Sequence, residues 1–241
     1  MKIRILLAFI LISVTLSAQN KPEQVSFNAK DGLEITADLY KTNDAYPYML
    51  LFHQAGFSRG EYKNTAQIFN NFGYNCLAID QRSGDIANGI INETAKRAKA
   101  KELSTPYIEA YQDMEAALDY AYKKSGKPIV VVGSSYSAAL VLRLASENIQ
   151  KISKVLAYSP GEYIQGHSVA AWSNLLETPV FVTSSKAEAE SVADLVKGSS
   201  NEKLVHFTPK GEGIHGSRVL WKSTANNQEY WVATRIFLTT K

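Results

Sequence analysis

The sequence predicts a doubly wound α/β domain: a mostly parallel sheet flanked by helices, with an antiparallel hairpin at its N-terminal end. Three observations carry that expectation. Several short apolar runs are continuous rather than alternating, as strands covered on both faces require. Segments with apolar residues at helical spacing separate them. Ahead of the first continuous run stand two strand-like segments joined by turn residues.

The elements follow in order. Residues 24–27 and 33–40 read as the hairpin, with Asn28-Ala29-Lys30-Asp31-Gly32 supplying its turn. Buried strands are expected at 49–52, 76–79, 129–132, 155–158, 180–183 and 204–207. Helices are expected at 62–72, 108–123, 138–146, 188–196 and 228–238. In the second of these, Ile108, Tyr111, Met114, Leu118 and Tyr122 recur near helical spacing. Thr105 is its expected cap, Pro106 its first residue, and Gly126 its end. Residues 84–105 exceed a minimal connection and are rich in lysine and alanine. They form either a small cap over the site or a solvated surface helix.

A chain of 241 residues suits one such domain. With 45% hydrophobic and 20% charged residues it can bury a sizeable core, which excludes a disordered chain. The formal net charge is +3, and two of the cations, Lys2 and Arg4, lie in a leader-like segment. That balance calls for neither nucleic acid nor an anionic membrane as partner. Lys2 and Arg4 precede the apolar run 5–12, which leads to Leu16-Ser17-Ala18 and Gln19. This is the layout of a cleavable secretory signal over residues 1–18, with an uncleaved anchor as the alternative. The apolar part is too short for a spanning helix, so no stable membrane insertion is expected once it is removed. The mature domain, 19–241, is then exported, to a periplasm or beyond. Cys76 is the only cysteine, so no internal disulfide can form, and its apolar run marks it as a core residue.

Chemistry is expected at the carboxyl ends of the strands. The strand at 129–132 runs into Gly133-Ser134-Ser135-Tyr136-Ser137 and then directly into an apolar helix. This is the strand–turn–helix setting of a nucleophile elbow, with Ser135 as nucleophile and small residues two places to either side. Read alone, the segment also fits serines capping the helix. His215, in a glycine-lined loop after the last strand, is the best-placed general base among four histidines. His206 sits within a strand and His167 in a polar loop. The orienting carboxylate is expected after the strand at 180–183, where Glu188 comes first, with Glu190 and the more distant Glu162 as competitors. Oxyanion-hole donors are expected from the backbone of Tyr136 and of Ala55, with Gln54 next in line. His53 in the same loop reads as structural.

With these pieces assembled, the chain resembles the α/β-hydrolase superfamily, and within it the dienelactone-hydrolase-like and small esterase or lipase group. His53-Gln54-Ala55-Gly56 resembles the family's oxyanion motif. Asp80-Gln81-Arg82-Ser83-Gly84 resembles its aspartate–arginine–glycine turn. Ser135, Glu188 and His215 match its nucleophile, acid and late histidine in chain order. Ser137 departs from the usual glycine, and glutamate is rarer than aspartate as the acid. The resemblance implies the α/β-hydrolase fold, a small-molecule ester-type substrate, and no metal or organic cofactor. The expected activity is that of a serine hydrolase. A peptidase or acyltransferase would use the same triad, and a non-catalytic binding protein could keep the scaffold.

Overall fold

The computed structural model describes residues 21–240, so the expected leader at 1–18 lies outside the described residues. The first half of the chain supplies β1 (Glu23–Asn28), β2 (Glu34–Tyr40), β3 (Tyr48–Phe52), α1 (Thr65–Asn71), β4 (Asn75–Ile79) and the short strands β5 (Ile86–Ala87) and β6 (Ile90–Ile91). It continues with α2 (Glu93–Ala100), α3 (Ala110–Ser125), β7 (Ile129–Ser134) and α4 (Tyr136–Glu147). The remainder is β8 (Ile152–Tyr158), α5 (Val169–Asn174), β9 (Val180–Thr183), α6 (Ala189–Val196), β10 (Leu204–Phe207) and α7 (Asn227–Thr239). Eight of the strands form one sheet in the order β1-β2-β4-β3-β7-β8-β9-β10. The β1–β2 hairpin joins it antiparallel through β2 and β4, and every pairing from β4 to β10 is parallel.

The two faces of the sheet explain the continuous apolar runs. Leu50, Phe52, Leu77, Ile79, Val131 and Val155 pack on one face, with α3, α4 and α6. Met49, Leu51, Cys76, Ala78, Val132 and Leu156 pack on the other, with α1 and α7. A strand with period-two geometry that is buried on both sides has no position left for a polar residue. From β3 the chain moves to β4 on one side and then returns to β7 on the other. The connections leaving β3 and β7 therefore diverge, α1 to one face and α4 to the other, and open a crevice at their carboxyl ends.

Several local readings need correction. Pro106, not Thr105, occupies the cap position, and a 3-10 turn at Tyr107–Glu109 precedes α3. The Thr105 carbonyl accepts a hydrogen bond from Ser83 Oγ instead. The expected helix at 62–72 is a 3-10 turn at Arg59–Tyr62 followed by α1. Helix α5 has no counterpart in the sequence reading, because six residues are too few to establish a period. Segment 84–105 folds as the β5–β6 hairpin and then α2, whose Thr94 and Arg97 bond to Thr36 on β2.

Buried arginines secure the carboxyl end of the sheet. Arg82, after β4, bonds Asp113 on α3 through its backbone N–H and side chain, and reaches Asp31 in the hairpin turn. Arg59 joins Asp38 on β2 to Asp80 after β4. Removing one partner of such a pair leaves a charge buried without compensation. Asp113→Ala is expected to cost about 3–5 kcal/mol in urea unfolding. The half-exposed Asp31→Ala should cost about 1 kcal/mol or less. Equal losses in the two variants would contradict this account.

Candidate active site

Ser135 sits between β7 and α4 with φ 59° and ψ −122°, a conformation that costs a non-glycine residue of order 1–3 kcal/mol. Surrounding contacts impose it. The Ser135 N–H donates to the Tyr158 carbonyl at 2.8 Å, and its own carbonyl accepts from Ala138 N–H at 2.8 Å. A Cβ on Gly133 would lie 2.4 Å from the Ser137 carbonyl oxygen, so only glycine lets the strand and helix approach this closely. The serine at 137 has a use. Its Oγ donates to the His53 carbonyl at 2.6 Å and accepts from the Gln81 side-chain amide at 3.0 Å. The elbow is thereby tied to the loops leaving β3 and β4.

Glu188 and His215 come together. His215 Nδ1 hydrogen-bonds Glu188 Oε1, which leaves Nε2 as the free ring nitrogen. The second carboxylate oxygen accepts from Ser185 Oγ at 2.7 Å and Ser159 Oγ at 2.9 Å. Burial pushes the Glu188 carboxyl up, but these donors and the imidazole outweigh it and hold the group at about 2. The competing carboxylates stand elsewhere. Glu162 accepts the N–H groups of Val169 and Ala170 and caps α5, while Glu190 is exposed in the first turn of α6.

The loop carrying His215 is seated on the elbow. Gly216, at φ +75°, donates its N–H to Ser159 Oγ at 2.9 Å, and Ser217 N–H donates to Ser134 Oγ at 2.8 Å. A side chain at 216 would meet Ser134 Oγ at 2.5 Å and Gln54 Oε1 at 2.6 Å. Ser134, Ser159 and Gln54 therefore surround the turn beside the imidazole. No hydrogen bond joins Ser135 Oγ to the imidazole among the described residues. Such contacts commonly close only once substrate is bound.

Among the expected oxyanion donors, the N–H groups of Ala55 and Tyr136 make no hydrogen bond among the described residues. Gln54 is corrected: its N–H donates to Glu61 Oε2 at 2.7 Å and is not available to an oxyanion. His53 is fully buried. Its Nδ1 bonds the Gln54 carbonyl at 2.8 Å, and its Nε2 accepts from Gln81 N–H at 3.0 Å. Burial lowers it to about 4, so it is a neutral tether rather than a base near neutrality. Cys76 is buried under α1 with its thiol near the Ala66 carbonyl, and burial pushes that thiol above its ordinary range. His206 lies on β10 and His167 packs near Trp172, so neither joins the cluster.

Sequence reasoning missed Ser159, Ser185, Ser217 and Glu61. Two of these left a signal: Ser185-Lys186-Ala187-Glu188 is the S-x-x-E pattern of a capping box, and Ser159 stands directly where a parallel strand ends. Among the described residues no group of three or more histidine, cysteine or acidic side chains could hold a metal ion. No helix among them is long and apolar enough to cross a membrane.

The depressed Glu188 carboxyl has a consequence for acid stability. Because its folded-state value lies below the ordinary 4.5, the stability it contributes is complete above that pH. It is lost as pH falls from 4.5 through about 2. The urea-stability gap between the wild type and Glu188→Gln should narrow over that interval. A constant gap would show that the carboxylate is not held by these donors.

No family model matches the chain, and no curated protein matches it by sequence. Solved structures do. An esterase of Pyrococcus furiosus superposes with a TM-score of 0.70 at 16% identity, covering 90% of each chain. A dienelactone hydrolase of Anabaena variabilis gives 0.67 at 14% identity, over 91% of this chain and 98% of that one. Thermogutta terrifontis esterase 2 gives 0.61 at 14% identity, over 91% and 93%. The strand order, the hairpin and these superpositions agree: the chain has the α/β-hydrolase fold.

Proposed function

We propose that this chain is an exported serine hydrolase that cleaves carboxylic esters through Ser135, His215 and Glu188. One observation carries the reading above the others. An imidazole paired with a carboxylate, its other nitrogen unclaimed among the described residues, lies on a loop bonded to the residue beside a serine held at φ 59°. A serine that merely capped a helix would need no such backbone and no such neighbour.

The chemistry follows from the protonation of the ring. Nδ1–H is directed to Glu188, so Nε2 can take the proton of Ser135 as Oγ attacks the ester carbonyl. Charge then gathers on the carbonyl oxygen, where the N–H groups of Ala55 and Tyr136 can receive it. The imidazolium returns the proton to the departing alkoxide as the ester C–O bond breaks. Water, deprotonated by the same nitrogen, attacks the acyl-enzyme, and the carboxylic acid leaves with Ser135 restored. Ionised Glu188 stabilises the imidazolium in both halves. The esterases and dienelactone hydrolase among the structural neighbours support an ester or lactone as the substrate class. Export rests on the leader-like pattern at residues 1–18.

The mature protein is expected to hydrolyse p-nitrophenyl acetate, and Ser135→Ala to abolish this with no change in its circular dichroism. His215→Gln should lower kcat by about 10⁴-fold or more with KM little altered. Turnover retained in a folded Ser135→Ala variant would sink the assignment.

A further inference from the structure

A buried carboxylate that touches none of the reacting groups holds the site's loops together. Glu61, in the 3-10 turn after β3, is only 1% exposed. Its Oε2 accepts the Gln54 N–H at 2.7 Å, and its Oε1 accepts the Ser217 hydroxyl at 2.6 Å. Gln54 immediately precedes Ala55, whose N–H makes no hydrogen bond among the described residues, and Ser217 is two residues after His215. The Ser217 N–H in turn bonds Ser134 Oγ, next to the nucleophile. One carboxylate thus joins the loops leaving β3 and β10, and through Ser217 the elbow after β7. Resting on the serine-hydrolase reading above, we infer that Glu61 is a positioning residue, which sets the oxyanion donor and the imidazole at their working distance from each other.

The way this chain treats its other buried carboxylates sharpens the point. Asp80 is paired with Arg59 and Asp113 with Arg82, each by direct ion pairs at the edge of the site. Glu61 forms no ion pair among the described residues and is satisfied by uncharged donors. Burial raises its carboxyl, against the bonds from Ser217 and Gln54, the nearby Ser134 hydroxyl and the charge of Arg218. A carboxylate placed so is a poor device for stability, since an apolar residue of similar size would avoid the desolvation. What it supplies is two acceptors, one on each side, at a fixed spacing. The histidine loop is then held from two directions: Gly216 by Ser159, which also bonds Glu188, and Ser217 by Glu61. A displacement of about 1 Å at reacting groups costs on the order of 100-fold in rate, so this clamp should be visible in kinetics.

The test compares the wild type with Glu61→Ala, Glu61→Gln and Ser217→Ala. It reads the second-order rate at which a fluorophosphonate labels Ser135, kcat and KM on p-nitrophenyl acetate, and urea stability. Glu61→Ala should label about 100-fold more slowly, with KM within about threefold of wild type. Glu61→Gln keeps an acceptor for Gln54 N–H and gains a donor for the Ser217 oxygen, so it should recover to within about tenfold. Ser217→Ala, which loses one arm only, should fall between them, with a loss of stability because one oxygen of the buried carboxylate loses its donor. Folded variants that label at the wild-type rate, whatever their stability, would overturn the inference while leaving the hydrolase reading intact. If Glu61→Ala does not fold, an unchanged labelling rate in Ser217→Ala does the same. A wild-type protein inert to the probe would remove the reading of Ser135 and this inference with it.

Discussion

The backbone of Ser135 is the constraint on which the rest of the structure depends. A residue at φ 59° and ψ −122° turns the chain from a buried strand into a buried helix within one step. The turn places a hydroxyl at the carboxyl edge of the sheet, and its cost has to be met by contacts that leave no alternative. Here those contacts are the missing Cβ of Gly133, the carbonyl of Tyr158 and the hydroxyl of Ser137. Because the hydroxyl of Ser137 reaches the loop after β3, that loop and the elbow are one unit rather than two loops that happen to meet. The serine at 137, where the family that the sequence resembles usually has glycine, therefore adds a tie.

Polar groups at this end of the sheet are of three kinds. Arg59 and Arg82 neutralise aspartates and fasten the hairpin and α3 to the loop after β4. Neutral His53 and Gln81 pass hydrogen bonds between loops without carrying charge. The hydroxyls of Ser159, Ser185 and Ser217 orient two carboxylates. Short side chains of this kind lose little rotamer entropy and tolerate close approach, which suits a region where the backbone of three loops converges. Cationic side chains would compete with the imidazole for Glu188.

Much of the fold was legible in the sequence because burial on both faces writes a simple signature. The six parallel strands of the main sheet were found from their continuous apolar runs and the hairpin from the turn residues between its strands, and the parallel direction followed from the intervening helices. The misreadings have local causes. Asn88-Gly89 is an ordinary hairpin turn, but strands of two residues carry no period, so β5 and β6 were not visible. The elements that the sequence expected to carry Ser135, Glu188 and His215 do end at the same edge, and the last two side chains touch. Gln54 was offered as a donor because nothing in the string His53-Gln54-Ala55-Gly56 reveals that its N–H is spoken for by a glutamate seven residues later. Glu61 and Ser217 are 156 residues apart, and contacts of that span leave no pattern in one sequence.

The central claim is that Ser135 is the nucleophile, and covalent trapping tests it most directly. The folded mature protein would be treated with a fluorophosphonate, digested, and mapped by mass spectrometry. The account predicts a single stoichiometric adduct on the peptide containing residues 133–137, assigned by fragmentation to Ser135. An adduct on another serine, Ser134 or Ser137 included, or no adduct on a folded sample, would contradict it.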